Sequence, residues 1–489
     1  MSYPDKYGTH SVGWESFAQN SINKLPSTFC LESNLYKMTR VTAVLFALVL
    51  FGGSFVVNAQ DTHPNIIFII SDSHRAEALG VAGNPFVQTP NLDQLAEKGT
   101  MFENAYVTTA ICTGSRASFF SGQYMSRHGI EDFATDFSEE ALAETFPLVL
   151  KKAGYQTGLI GTWGIGNNPP VAHFDHWESK IPWRTPEGLH QTDHIVKKAV
   201  DYLERYQAEA PFFLSLGFSA AHEIDPSQGN PATYEVQERF LPLYENIEIP
   251  VPQTASLEVW EAFPDFFRTE ENIARFRWQD FFSSPELFQE NAKNYYRMVT
   301  GLDDAVGTIV AKLKELGLDD NTIVIYTSDH GFSLNEHGLM GKWYPHEKSI
   351  RIPLIIYDPR TPAFSGKATE KIALNIDVGP TLLKLADLEV PKSMQGIDLL
   401  EMMSSHNKSL ERKEFFYEHV FLGSPRLPKS HAVVRKDIKY IYYPEHDYEV
   451  VYDLAKDPGE KVNVATLPAY AEKLADLRKS YSKLKQSAQ

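Results

Sequence analysis

Residues 64–72 read P-N-I-I-F-I-I-S-D, and this short run decides the architecture. A β-branched apolar stretch bounded by Pro64 delivers the polar Asp72 at its carboxyl end, the pattern of a strand buried on both faces of a parallel sheet. Similar runs follow: Y-Q-T-G-L-I-G from Tyr155, P-F-F-L-S-L-G-F from Pro211, N-T-I-V-I-Y-T-S from Asn321 and I-P-L-I-I-Y from Ile352. Between them, T-P-N-L-D-Q-L-A-E-K-G predicts a capped helix closed by Gly99, and a long helical pattern covers roughly 292–316. Strands alternating with helices predict an α/β fold, a mostly parallel sheet covered by helices on both faces. Beyond about residue 405, K-E-F-F-Y-E-H-V-F, H-A-V-V-R, K-Y-I-Y-Y and E-V-V-Y-D-L read as short antiparallel strands, followed by a helix from about Pro468. This predicts a smaller C-terminal α+β subdomain.

The bulk numbers narrow the function. A chain of 489 residues accommodates one large domain and a smaller one. Its formal net charge of −17 gives no reason to expect nucleic-acid or anionic-membrane binding. An anionic substrate must then be held by a local positive site. Residues 38–59, M-T-R-V-T-A-V-L-F-A-L-V-L-F-G-G-S-F-V-V-N-A, have the basic start, apolar centre and small-residue end of a signal peptide. Residues 1–37 then read as a spurious leader with Met38 the true start, 60–404 as the main domain and 405–489 as the subdomain. The expectation is an exported protein, periplasmic or secreted, with no stable membrane insertion after cleavage. Removing Cys30 with the leader would leave one thiol, Cys112, and no internal disulfide.

Cys112 lies in A-I-C-T-G-S-R-A-S-F-F-S-G-Q-Y at the entry to an apolar helix. Asp72, His222 and Asp329 all fall just past strand ends, the edge at which open α/β sheets bind ligands. Carboxylates gathered there are costly unless protonated or neutralised, and a hard divalent cation is one solution. Taken singly, each aspartate reads as a cap and the cysteine as a small buried hydrophobe. Together with Arg116, His222 and Lys342 they read as a site.

The set resembles the sulfatase family of the alkaline phosphatase superfamily. The resemblance rests on the cysteine motif, T-P-N-L-D-Q-L-A-E-K-G, G-Y-Q-T-G-L-I-G, S-D-H-G-F-S-L-N-E-H-G-L-M-G-K-W and S-I-R-I-P-L-I-I-Y. It implies that a formylglycine-generating maturation enzyme converts Cys112 to formylglycine, whose hydrate offers one hydroxyl to attack sulfur and a second that lets sulfate be released. It implies Ca²⁺ held by Asp72, Asp329 and His330, with Ser73 as a further oxygen donor. Arg116 would steady the hydrate, Lys342 would bind a sulfate oxygen, and His222 would protonate the leaving group. His346, close behind Lys342, is a candidate substrate contact. The implied substrate is a sulfate ester, foremost a sulfated carbohydrate.

The chain departs from the family pattern at four positions. Ser73 stands where a second aspartate is expected, and Gly114 where the maturation motif has proline or alanine. G161-T162-W163-G164 replaces G-K-W-H, so Thr162 and Gly164 take the places of a lysine and a histidine. Two alternatives follow: a catalytically impaired sulfatase-like protein that binds sulfated glycans, and a metal-dependent phosphodiesterase or phosphonate hydrolase on the same scaffold.

Overall fold

A computed structural model describes residues 63–225, 232–361, 365–404, 410–421 and 427–489. The leader and signal readings at 1–37 and 38–59, and the subdomain boundary at 405, lie outside these described residues. The strands of the main unit are, in chain order, β1 (Asn65–Ser71), β2 (Thr100–Tyr106), β3 (Gln156–Gly161), β4 (His176–Glu178), β5 (Phe212–Gly217), β6 (Thr322–Ser328), the short ribbon β7 (Ser333–Leu334) and β8 (Met340–Gly341), β9 (Leu354–Tyr357) and β10 (Lys367–Leu374). Eight of them form one sheet in the order β10-β2-β9-β6-β1-β5-β3-β4.

β1 runs through the middle of this sheet, and all its residues are buried. It pairs in parallel with β6 from Asn65↔Thr322 to Ser71↔Ser328, and with β5 on its other side. Its side chains alternate between two cores, Ile66, Phe68 and Ile70 facing one and Ile67 and Ile69 the other. Helices α1 (Pro90–Lys98), α2 (Cys112–Ser121), α3 (Gln191–Arg205), α4 (Pro285–Glu315) and α5 (Val378–Leu385) cover both faces. Phe119 and Phe120 of α2 and Leu382 and Leu383 of α5 join the first core, whereas Ile195 and Leu203 of α3 and Leu302 and Val306 of α4 join the second. The mostly parallel α/β expectation holds. One strand departs from it: β9 runs antiparallel to both β6 and β2.

Four antiparallel strands, β11 (Glu414–His419), β12 (Ser430–Arg435), β13 (Lys439–Tyr443) and β14 (Tyr448–Tyr452), form the C-terminal sheet. Helix α6 (Ala471–Ala488) sets Leu474 and Leu477 against Val433, Tyr440 and Val451 on one face. The other face, with Phe415, Tyr417, Ala432 and Ile441, merges into the first core of the main unit. No helix among the described residues is long and apolar enough to cross a membrane.

Glu418 of β11 gives this junction a pH signature. Burial pushes its carboxyl up from 4.5 to about 7, against the Ser126 hydrogen bonds that favour the charged form. A carboxyl raised on folding stabilises the native state below its unfolded pKa, and that stability is lost as pH rises through the folded value. Relative to Glu418→Gln, the wild type should therefore lose up to about 3 kcal/mol between pH 4.5 and 7. Urea unfolding of both proteins across that window measures it; parallel curves would contradict the assignment.

Candidate active site

The register of β1 on β6 builds the site. Pairing Ser71 with Ser328 sets the following residues, Asp72 and Asp329, side by side, and Asp329 N–H donates to the Ser71 carbonyl at 3.0 Å. β5 brings the third strand end: Asp72 N–H donates to the Ala220 carbonyl at 3.0 Å, which sets His222 beside the pair. Ser73 leaves the strand with a left-handed φ of 65°; its hydroxyl donates to Asp72 Oδ1 at 2.9 Å and its N–H to Asp329 Oδ1 at 3.3 Å.

Three further elements converge on this edge. Cys112 opens α2, whose N-cap Ile111 offers no capping side chain and whose N-terminus favours negative charge. Its Sγ lies 3.3 Å from His330 Nε2 and 3.8 Å from Asp72 Oδ1. Arg116, one turn along α2 and fully buried, donates from Nε to Asp329 Oδ2 at 2.9 Å and from one terminal nitrogen to the Thr162 carbonyl at 3.0 Å. Its other terminal nitrogen lies 3.7 Å from Asp72 Oδ2. Lys342 follows directly on β8 and places Nζ 3.2 Å from Cys112 Sγ and 4.0 Å from Asp72 Oδ1.

The charges are unevenly shared. Burial works to raise the Asp72 carboxyl, but nearby cations, Lys342 foremost and Arg116 with it, hold it well below the usual range. Asp329 goes the other way, pushed up by burial and by the neighbouring Asp72 charge. Burial and Lys342 keep His330 neutral. Its Nδ1–H donates to the Gly331 carbonyl at 2.8 Å, which leaves the Nε2 lone pair directed at the aspartates. Two carboxylates that repel each other and a pre-oriented imidazole lone pair suit a divalent cation. Ligand atoms of Asp72, Cys112, Asp329 and His330 all lie within 4.8 Å of one another.

The structure thus gathers Asp72, Ser73, Cys112, Arg116, Asp329, His330 and Lys342, with His222 at the margin. It does not bring His346 there. His346 is buried and stacked on His337 at 4.4 Å, among Phe263, Tyr344 and Tyr452. The chain turns between Lys342 and His346, so closeness in sequence does not become closeness in space.

The departures have physical settings. Gly164 has a φ of +75°, and a Cβ there would stand 2.7 Å from Arg116 Cδ, so a side chain would displace the arginine. Thr162 turns its hydroxyl to Ser219 at 3.0 Å and supplies no cation. A Cβ at Gly114 would meet Thr109, Ile111 and Met125 side-chain atoms at 3.2–3.3 Å, a tight fit with no backbone clash. Sequence reasoning missed Glu223 and Arg277. Glu223 is buried beside His222, and Arg277 pairs with Glu223 and Asp225. Glu223 had a weak signal, adjacency to a strand-end histidine; Arg277 lies on a separate helix, Ile273–Phe282, with none.

A parallel sheet whose central carboxyl edge carries paired aspartates, a histidine, a buried arginine and a lysine around one cysteine defines a hydrolase of the alkaline phosphatase superfamily. The family model "Sulfatase" matches residues 64–388, and "N-sulphoglucosamine sulphohydrolase, C-terminal" matches 335–487. An arylsulfatase of Clostridium perfringens is 30% identical, covering 85% of this chain and 93% of its own. An N-acetylglucosamine-6-O-sulfatase of Bacteroides thetaiotaomicron is 29% identical, covering 86% and 85%. A solved structure in complex with its substrate D-glucosamine-2-N,6-O-disulfate superposes with a TM-score of 0.74 at 25% identity, covering 87% of this chain and 98% of the other. The chain belongs to the sulfatase family, whose members are sulfuric ester hydrolases.

Proposed function

We propose that this chain is an exported, Ca²⁺-dependent carbohydrate sulfatase that uses formylglycine generated from Cys112. The observation that carries the reading is the setting of that thiol. Burial and Asp72 push its pKa far up despite Lys342, so unmodified Cys112 stays protonated and is a poor nucleophile. It is also a soft donor beside hard carboxylates. Formylglycine there would supply, as its hydrate, an attacking hydroxyl, a second hydroxyl for releasing sulfate, and oxygen in place of sulfur for a hard cation.

Asp72, Asp329 and His330 would hold Ca²⁺, which neutralises sulfate oxygens, with the Ser73 hydroxyl nearby. Lys342, with its ammonium 3.2 Å from the residue-112 side chain, is suited to bind a sulfate oxygen as charge develops. Arg116 fixes Asp329. His222, partly exposed beside Asp72, is suited to give a proton to the departing sugar oxygen. The N-acetylglucosamine-6-O-sulfatase relative and the solved complex with D-glucosamine-2-N,6-O-disulfate make a 6-O-sulfated glucosamine the first substrate to try.

A second reading, glycan binding without turnover, draws on Thr162, which leaves the pocket one cation short. Co-expression with a formylglycine-generating enzyme, mass analysis of the Cys112 peptide and assay on an aryl sulfate and on the 6-sulfated sugar separate the two. The expected result is an aldehyde at 112 and sulfate release that a chelator abolishes. Intact thiol in every preparation would overturn the formylglycine reading; aldehyde without release would favour the binding one.

A further inference from the structure

We propose that Tyr417, on β11 of the C-terminal sheet, is a positioning residue that holds Lys342 beside residue 112. The proposal rests on the reading of Lys342 as the sulfate-binding cation. Tyr417 is fully buried, and its hydroxyl joins the two segments that carry the chemistry. It donates to the Trp343 carbonyl at 2.7 Å and accepts from Ala110 N–H at 3.3 Å. Trp343 N–H in turn donates to the Ala110 carbonyl at 3.1 Å, which closes a triangle. Two of its corners are next to the site: Trp343 directly follows Lys342, and Ala110 is two residues before Cys112.

Trp343 needs this support. Its φ of 81° is left-handed, a conformation a bulky residue holds only when its surroundings impose it. Both backbone polar groups of Trp343 are engaged in the triangle, so the hydroxyl of Tyr417 fixes the turn from which Lys342 projects. Without it, a buried carbonyl and a buried N–H both lose a partner. The rest of β11 fastens the same region: Glu418 N–H donates to the Thr108 carbonyl at 2.9 Å, and Glu418 Oε1 accepts from Ser126 N–H at 2.8 Å. Tyr417 connects that grip to Lys342 through Trp343. The C-terminal sheet would then act on catalysis without touching substrate.

A double-mutant cycle tests this. Tyr417→Phe keeps the ring and removes the hydroxyl; it should lower kcat/KM on an aryl sulfate about 10- to 100-fold, the scale of a small misplacement of a catalytic group. In a Lys342→Met background the same change should cost almost nothing, because the residue through which it acts is gone. Glu418→Gln, which alters the next residue of β11 without touching the triangle, should have the same effect in either background. A Tyr417→Phe effect that is additive with Lys342→Met, or absent, would overturn the proposal. A crystal structure of Tyr417→Phe gives a readout that needs no turnover. Lys342 Nζ should move away from residue 112, and an unmoved Nζ would overturn the proposal even if the wild type proved inactive.

Discussion

Arg116→Met is expected to damage stability and activity together, costing about 3–5 kcal/mol of folding free energy and about 10²–10³ in turnover. Arg116 is the fully buried cation between Asp329 at 2.9 Å and Asp72 at 3.7 Å. Methionine fills similar volume but leaves two facing carboxylates out of water with less compensation. Asp329 is already pushed up by burial and by Asp72, and loss of Arg116, which opposes that rise, must push it further. The defect should therefore shrink as pH falls, because protonating Asp329 removes the charge that methionine cannot neutralise. Thermal unfolding of wild type and variant from pH 5 to pH 8 measures this. A deficit independent of pH would mean that packing, not charge, sets the cost.

Lys342→Met should separate the two effects. Its ammonium contacts Cys112 Sγ and lies 4.0 Å from Asp72, which keeps Arg116 at 3.7 Å, so the fold should tolerate its loss better than that of Arg116. Activity should not: removing one preorganised cation from a developing anion costs about 10²–10³ in kcat/KM. Burial works to lower the Lys342 pKa, but the Asp72 and Glu223 carboxylates help hold it above its ordinary value, so it remains charged through neutral and mildly alkaline pH. The loss should accordingly be uniform across the pH–rate profile and leave its shape unchanged. A variant whose profile instead lost its alkaline limb would identify Lys342 as a titrating group and contradict its role as a fixed charge.

The legible parts of the fold were those where burial alone dictates composition. β1, β3, β5 and β6 lie inside the sheet, and their apolar runs say so. β2 carries half-buried Glu103 and Asn104, and β10 begins with exposed Lys367 and Ala368 at the sheet edge; neither was read as a strand. The long helix was placed from 292 but starts at Pro285, where Ser284 caps it by accepting from Leu287 N–H at 3.2 Å. That S-P-E-L signal was present and passed over. In the site, the strand-end aspartates and the cysteine were legible as residues at the ends of recognisable elements, and Lys342 through the motif that contains it. His346 was misjudged because four residues of chain suffice to reverse direction.

By itself, the sequence determined the α/β class, the central strand and the inventory of charged groups near Cys112, because hydrophobic pattern and residue chemistry are local properties. Tertiary structure decided which of those groups meet. The pairing of Ser71 with Ser328 sets Asp72 against Asp329 across a sequence separation of 257 residues. The antiparallel direction of β9, the burial of His346 and the grip of Tyr417 on Trp343 are likewise long-range. Hydrogen-bond register and side-chain packing are properties of pairs of segments, and no single segment encodes its partner.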